Sequence, residues 1–91
     1  MVTAIILINA ERERIGQVAE RLAGLPEVSE VYSVAGQYDL VALIRVKEND
    51  DLAALVTEKL PAIEGIARTE SLISFRAHSR HDLDRLFSVG L

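Results

Sequence analysis

Two stretches of this sequence are almost wholly apolar and constrain the fold more than any other feature. Residues 2–8 read VTAIILI, and residues 38–46 read YDLVALIRV. Successive side chains of a β-strand point to opposite faces of the sheet. A run of aliphatic residues without polar alternation therefore indicates a strand that is covered on both faces. The fold has to bury both sides of these two strands.

The remaining segments alternate between helical and extended patterns. Residues 11–25 carry apolar side chains at helical spacing and lead into Pro26. Residues 28–35 alternate as a strand, a second helical stripe covers residues 52–63, and residues 66–77 alternate again. The order βαββαβ predicts a ferredoxin-like α+β sandwich, with four antiparallel strands and both helices on one face.

The end of the sequence predicts one more element. Residues 79–87 have the pattern of a short C-terminal helix with Leu83, Leu86 and Phe87 on one side. We expect these three side chains to cover an apolar groove on the same subunit or on a neighbouring one. The whole chain, residues 1–91, is short enough for a single domain.

The predicted fold leaves one face of the sheet without helices, and that face is also apolar. The chain is 49 % hydrophobic, which is more than one small core requires. An exposed apolar patch of this kind marks an interaction surface. We therefore predict that two subunits pack sheet to sheet, as in dimeric α+β barrels.

Composition excludes several classes of protein. Ten Lys and Arg are scattered among fourteen Asp and Glu, giving a net charge of −4, whereas DNA-binding modules carry a basic stripe. Direct DNA binding is therefore not expected. There is no cysteine. No apolar run is long enough to span a membrane, and no signal peptide is recognisable. We expect a cytoplasmic protein without a membrane partner.

Catalytic and metal-binding patterns are weak. His78, His81 and Asp82 could ligate a metal, but they lack a further ligand nearby, and a solvated helix start explains them as well. No glycine-rich phosphate loop and no nucleophile motif is present. We predict that the chain is not an enzyme and needs no cofactor. A cofactor-free enzyme of the dimeric α+β barrel type remains the alternative, beside a purely structural oligomerisation module.

The turn before the third strand is the best candidate binding site. It consists of Gly36, Gln37, Tyr38 and Asp39, and by itself it reads as a hairpin connection. The exposed backbone at a glycine, a tyrosine hydroxyl and a carboxylate can also bind a small zwitterion. On the fourth predicted strand, Thr69 and Ser71 point the same way and could add two hydroxyl groups.

These motifs together resemble the effector-binding domain of the Lrp/AsnC (feast/famine) transcriptional regulators, often called the RAM domain. The similarity covers Leu25-Pro26-Glu27-Val28, then Tyr32 to Asp39, then Ile63-Glu64-Gly65-Ile66 and Arg68-Thr69-Glu70-Ser71. The pairing of a Gly-x-Tyr-Asp turn with a later Gly-Ile-x-x-Thr-x-Ser strand is more specific than either half.

The resemblance implies a function and an assembly. In this family, dimers form through the sheets and assemble further into tetramers or octamers. Amino acids or related metabolites bind between dimers, near the turn and the fourth strand. Carried over by position, this assigns ligand binding to six residues: Gly36, Gln37, Tyr38, Asp39, Thr69 and Ser71.

The sequence also departs from the family pattern. Full-length members begin with a helix-turn-helix domain, which has no counterpart here, so we expect a stand-alone sensor that acts through partner regulators. In the turn, Ala35 stands where a Thr or Ser hydroxyl is common, and Gln37 where an acidic residue is frequent. The expected function is amino-acid or metabolite sensing at an oligomer interface, with modulation of transcription through assembly with full-length relatives.

Overall fold

The structure, a computed structural model, describes residues 1–78 and contains one four-stranded sheet. The sheet order is β2-β3-β1-β4, and every neighbouring pair of strands is antiparallel. This arrangement confirms the predicted ferredoxin-like α+β fold. The four strands are β1 (Val2–Ala10), β2 (Val28–Ser33), β3 (Leu40–Val46) and β4 (Ile66–Ser74).

Two helical segments connect the strands. A 3-10 turn, Arg12–Arg14, leads into α1 (Ile15–Ala23). The second helix, α2 (Asn49–Ala54), continues directly into a π-helical turn, Leu55–Lys59. The N–H of Leu60 donates to the carbonyl oxygen of Leu55 at 2.9 Å, which is the five-residue spacing of a π-turn.

The hydrophobic core lies between the helices and one face of the sheet. Alternate residues of β1 and β3 point into it, and their helical partners are spaced three to four residues apart. The fully buried members show no exposed surface at all. These residues are Ala4, Ile6, Ile8, Val18, Leu22, Leu40, Ala42, Ile44 and Leu55.

The opposite face of the sheet, which we call the open face, is apolar in its centre. Residues paired directly across antiparallel strands share a face, so the register defines its rows. One row contains Tyr32, Val41, Leu7 and Glu70, and the next contains Glu30, Leu43, Ile5 and Leu72. Ile5, Leu7, Val41 and Leu43 are only half-buried within one chain. Strands β1 and β3 are therefore apolar on both faces, as their sequences predict.

Some element boundaries differ from the sequence-based expectation. β2 ends at Ser33 and β3 begins at Leu40, because the residues between them form the connecting turn. β4 ends at Ser74, three residues earlier than predicted. The predicted helix over residues 79–87 lies outside the described residues. No helix within residues 1–78 is long and apolar enough to cross a membrane.

Gly65, just before β4, lies very close to the first turns of α1, and this position requires a glycine. Its φ of +100° lies in the region that favours glycine. A Cβ atom at this position would lie 2.9 Å from Arg14 Cβ and 2.9 Å from Val18 Cγ2. The glycine therefore allows the start of β4 to pack directly against the first turns of α1.

Candidate functional site

The turn between β2 and β3 forms the first part of the candidate site. The N–H of Val34 donates to the carbonyl oxygen of Asp39 at 3.0 Å and closes the connection. Gly36 has a φ of +135°, a backbone conformation that side-chain-bearing residues rarely adopt. Gly36 and Gln37 are exposed, whereas Tyr38 and Asp39 are half-buried. The glycine thus leaves a stretch of backbone open to solvent.

Three hydrogen bonds fix this turn to the end of β1. The N–H of Asp39 donates to the carbonyl oxygen of Ile8, and the N–H of Ala10 donates to Asp39 Oδ2, each at 2.9 Å. Asn9 Nδ2 donates to the carbonyl oxygen of Gln37, also at 2.9 Å. The Asp39 carboxylate therefore holds the backbone together at the sheet end. The turn is thus hydrogen-bonded to β1 through both its backbone and a side chain.

Tyr38 connects the turn to the edge strand β4. Its hydroxyl donates a hydrogen bond to the carboxylate of Glu70. This hydrogen bond, and to a lesser degree burial, raises the pKa of Tyr38, although the nearby Arg68 acts in the opposite direction. The hydroxyl group of Tyr38 therefore stays protonated at neutral pH and continues to donate.

Glu70 lies beside the turn of the candidate site, and the sequence-based prediction did not include it. The prediction selected the two hydroxyl-bearing residues of β4, Thr69 and Ser71, and passed over the glutamate between them. Strand alternation places Glu70 on the face opposite to its two neighbours. Its contact with the tyrosine of the turn depends on the register between β1 and β4, which no local sequence pattern shows.

The structure places Thr69 and Ser71 on the helix-covered face of β4. Thr69 pairs with Ile8 and Ser71 with Ile6, and both isoleucines point into the core. Thr69 also lines an open cleft of about 210 Å³ between the start of β4 and the π-turn that follows α2. Within one chain, the six predicted residues thus form two groups. The four residues of the turn lie at the sheet end beside Glu70, and the two hydroxyls lie on the other face.

The metal hypothesis has little support in the part of the chain that the structure describes. Among residues 1–78, no three His, Asp or Glu side chains lie close enough to hold a metal ion. His78 is exposed. His81 and Asp82, the other two residues of that pattern, lie outside the described residues.

Comparison with known proteins identifies the family. The family model of the Lrp/AsnC ligand binding domain matches residues 3–84 of this 91-residue chain. This chain belongs to the Lrp/AsnC ligand-binding domain family. The resemblance that the sequence motifs indicate is therefore confirmed over most of the chain.

Individual relatives agree with this assignment. The HTH-type transcriptional regulator FL11 of Pyrococcus furiosus is 34 % identical over 77 residues, which are 85 % of this chain and 50 % of FL11. TTHA0845 from Thermus thermophilus is 48 % identical to this chain in sequence, and its crystal structure superimposes with a TM-score of 0.82. The match covers 88 % of this chain and 100 % of TTHA0845. AsnC of Escherichia coli is 25 % identical, with a TM-score of 0.80, over 86 % of this chain and 53 % of AsnC.

Family membership confirms the coarse functional prediction. Members of this Lrp/AsnC family are regulatory ligand-binding domains, so the chain has a regulatory, effector-binding role and is not an enzyme. The chain spans about half the length of the curated regulators that it matches. The six site residues stay predictions.

Proposed function

We propose that this Lrp/AsnC domain senses an amino acid or a closely related metabolite at a site shared between copies of the chain. The supporting observation is the division of the predicted site residues between two faces. Tyr38 and Glu70 meet at the open face, whereas Thr69 points to the helix-covered face. In a single chain these two groups therefore lie on opposite faces of β4. A second copy, contributing its Thr69 and Ser71, completes the site.

The turn offers suitable chemistry for such an effector. A Cβ atom placed on Gly36 would meet no atom of the described residues within 4 Å, so a ligand can approach the backbone there. Exposed backbone N–H groups in a turn bind carboxylates. The Tyr38 hydroxyl and the carboxylates of Asp39 and Glu70 add polar groups within the same region. The carbonyl oxygen of Gln37 accepts the hydrogen bond from Asn9 and so helps to hold the turn against β1.

The open face is the proposed primary dimer interface. Its apolar centre is bounded on both sides by hydrogen-bonded tyrosine–glutamate pairs. Tyr32 donates to Glu30 at the β2 edge, and Tyr38 donates to Glu70 at the β4 edge. An apolar centre within a polar rim is the usual arrangement of a protein–protein interface. Dimers would then assemble into tetramers or octamers through contacts that include the effector site.

In this proposal the chain acts in the cytoplasm without contacting DNA itself. Its acidic net charge of −4 disfavours binding to phosphate groups. Effector binding would shift the equilibrium between assembly states, because a ligand held by two copies favours the assembly that creates its site. Mixed assembly with full-length Lrp/AsnC regulators would carry the signal to transcription.

Titration calorimetry with the twenty amino acids tests the proposal. We expect at least one to bind to the wild-type chain. Gly36→Ala should abolish binding, because it adds a side chain where φ is +135° and the backbone is exposed. Gly16→Ala is the matched control, since a Cβ atom there also meets no described atom within 4 Å, but Gly16 is in α1. Silence across the panel, with an unchanged oligomer size, would instead indicate a structural oligomerisation module.

A further inference from the structure

We propose that the C-terminal segment, residues 79–91, folds back onto the helix-covered face of its own chain and docks along β4, with Phe87 in the open cleft beside the π-turn. The docking surface is the helix side of β4, which we call the β4 shelf and define by Thr69, Ser71 and Ile73. Docking makes the segment part of the domain's fold, whatever effector the domain binds.

The β4 shelf lies on the helix-covered face, yet the helices leave much of it exposed. Its three residues pair with core residues of β1 that have no exposed surface, so the shelf faces the same side as the helices. Ile73 is nevertheless 63 % exposed, and Ser71 is exposed as well. Within residues 1–78, the helices therefore cover the centre of this face and stop short of its β4 edge.

The open cleft of about 210 Å³ lies at the other end of the shelf from Ile73. Its apolar walls include Val56 and Leu60 from the helical side and Ile66 from β4, and Thr69 belongs both to the cleft and to the shelf. A side chain in a concave apolar site contacts atoms on several sides, which a flat sheet face does not provide. The cleft therefore favours the shelf over the open face as the surface that receives the segment.

The sequence of the segment provides a complementary apolar surface. Leu83, Leu86 and Phe87 are spaced i, i+3 and i+4, so a helix would carry them on one side, with the charged residues between them on other sides. A short helix with such an apolar side is stabilised mainly by packing against a partner surface. The family match ends at residue 84, so Leu86 and Phe87 lie beyond the part of the chain that the family model matches.

The length of the segment matches the length of the shelf. A helix that begins at residue 79, beside Ile73, and runs antiparallel to β4 reaches Phe87 after about 12 Å, at about 1.5 Å per residue. The shelf from Ile73 to Thr69 is about 13 Å long, at roughly 3.3 Å per residue. Such a helix places Leu83 opposite Ser71 and Phe87 at the cleft.

The chain leaves the sheet next to the shelf, which favours docking within one chain. β4 ends at Ser74, and the chain bends at Phe75, which is 99 % exposed. Across this bend, the Ser74 hydroxyl donates to the carbonyl oxygen of Arg76 at 3.3 Å. Only residues 75–78 connect β4 to the segment. A short connection makes contact within one chain cost little entropy and gives the segment a high effective concentration at its own shelf.

Docking also affects the proposed effector site. Phe87 in the cleft would cover Thr69, which the proposed function assigns to the site that a second copy completes. A chain with a docked segment therefore withholds Thr69, and effector binding has to displace the segment. The apparent affinity for the effector falls with the fraction of chains that are competent to bind it. This consequence, unlike the docking itself, rests on the proposed function.

Cysteine cross-linking tests the docking directly, because the chain has no cysteine of its own. The test variant combines Ser71→Cys with Leu83→Cys, and the matched control combines Glu70→Cys with Leu83→Cys. Ser71 and Glu70 are neighbours and are both exposed, but they point to opposite faces of β4. A short bismaleimide should link the test pair within one chain and should link the control pair much less. Gel mobility and peptide mass spectrometry distinguish a link within one chain from a covalent dimer.

A further substitution tests the role of Phe87. Phe87→Ser in the Ser71→Cys and Leu83→Cys background should slow cross-linking within the chain severalfold, because the docked segment loses its buried aromatic ring. Val89→Ser is the matched control, since residue 89 lies two positions from Phe87 and so on another side of the same helix. It should cross-link like the parent variant. Circular dichroism of each variant establishes that the fold is intact.

Each result of the cross-linking either supports the docking or overturns it. Links within one chain that require Ser71→Cys rather than Glu70→Cys, and that Phe87→Ser slows, support it. Covalent dimers through the Ser71→Cys pair would show that the segment docks on a second copy instead. Equal linking of the two pairs, or linking of neither, would show that the segment does not lie on the shelf. Linking that Phe87→Ser leaves unchanged would show that Phe87 does not occupy the cleft.

Calorimetry with the twenty amino acids separates the docking from the proposed function. We expect Phe87→Ser to bind the effector more tightly than the wild type, because Thr69 is no longer covered. Equal affinities would overturn the competition between the segment and the effector. If neither protein binds any amino acid while the Ser71→Cys pair still links within one chain, the proposed function fails and the docking stands.

Discussion

The two faces of the sheet differ in how much of their apolar surface a single chain buries. On the helix-covered face, Ile6 and its neighbours Ala4 and Ile8 have no exposed surface. On the open face, Ile5 and Leu7 come from the same strand and have similar side chains, yet they stay half-buried. The same aliphatic sequence thus serves two purposes. One set of residues stabilises the chain, and the alternate set is available to a second copy.

The polar groups of the two faces differ in the same way. On the helix side, Lys59 pairs with Glu27, whose side chain is only 15 % exposed. On the open face, the polar groups are two tyrosine–glutamate pairs at the rim, and Tyr32 is 47 % exposed. Ion pairs that are shielded from water contribute more to stability than exposed ones. The comparison predicts that the covered face determines the stability of the fold, whereas the open face determines assembly.

The largest expected effect comes from truncating the covered face. Ile6→Ala removes a fully buried side chain and should lower the free energy of unfolding by about 3 kcal/mol. Ile5→Ala is the matched change one residue away, and it should lower the stability of a dilute monomer by less than about 1 kcal/mol. Urea unfolding of both variants at low protein concentration measures the difference. Equal losses for the two variants would contradict the division between the faces.

A charge in the centre of the open face should act on assembly instead. Leu7→Lys places an ammonium group at the centre of the open face, between Val41 and Glu70. We expect self-association to weaken about a hundredfold, equivalent to roughly 3 kcal/mol, because the charge would lose its water in the interface. Sedimentation equilibrium measures the change. Gln17→Lys, on an exposed position of α1, adds the same charge and should leave assembly unchanged. A Leu7→Lys variant that assembles like the wild type would place the interface elsewhere.

The ion pair on the helix side provides a smaller and pH-dependent effect. The hydrogen bond from Lys59 lowers the pKa of Glu27 below its ordinary value of 4.5, despite the opposing effect of burial. Lys59→Met should therefore cost about 1–2 kcal/mol at pH 7, because it removes the hydrogen bond to Oε2 of Glu27, whose other oxygen, Oε1, is buried without a hydrogen-bond partner among residues 1–78.

The sign of the pH dependence follows from the lowered pKa. A carboxylate with a depressed pKa in the folded chain contributes stability above its unfolded pKa, and this contribution is lost as the pH falls through the folded value. The difference between wild type and Lys59→Met should therefore shrink below pH 4.5. Thermal unfolding from pH 7 to pH 3 measures it. The exposed Arg14–Glu64 pair is the control, and Arg14→Met should change stability by less than about 1 kcal/mol. A difference that is constant over this pH range would show that the pair does not act through charge.

Much of the fold was predictable from periodicity. The helical stripe that includes Val18 and Leu22, and the two doubly apolar strands, specify which elements form and which sides they bury. Element ends were less predictable. β4 ends at Ser74, which pairs with Thr3 of β1, and β3 begins at Leu40, directly after the hydrogen bond from Ala10 to Asp39. Sequence patterns do not encode such contacts between distant residues.

The candidate site was predictable only in part. The turn is a local feature, and glycine at a positive φ is recognisable from sequence. The partner of Tyr38 was not recognisable, because Glu70 is thirty-two residues away and its contact depends on the β1–β4 register. The placement of Thr69 and Ser71 on the opposite face depends on the same register. Which residues lie near the turn, and which lie on the other face, is therefore known only from the pairing of the strands.

Sedimentation velocity with and without a bound amino acid tests the central claim most directly. The claim is that the effector lies between copies of the chain, with the turn from one copy and the Thr69 face from another. We predict that the amino acid that binds in calorimetry shifts the sedimentation coefficient of the wild type. We also predict that Thr69→Ala and Gly36→Ala each abolish the shift, and that mixing these two variants restores part of it, since mixed assemblies contain some intact sites. An effector that binds to the Leu7→Lys monomer as tightly as to the wild-type assembly, without any shift, would contradict the account.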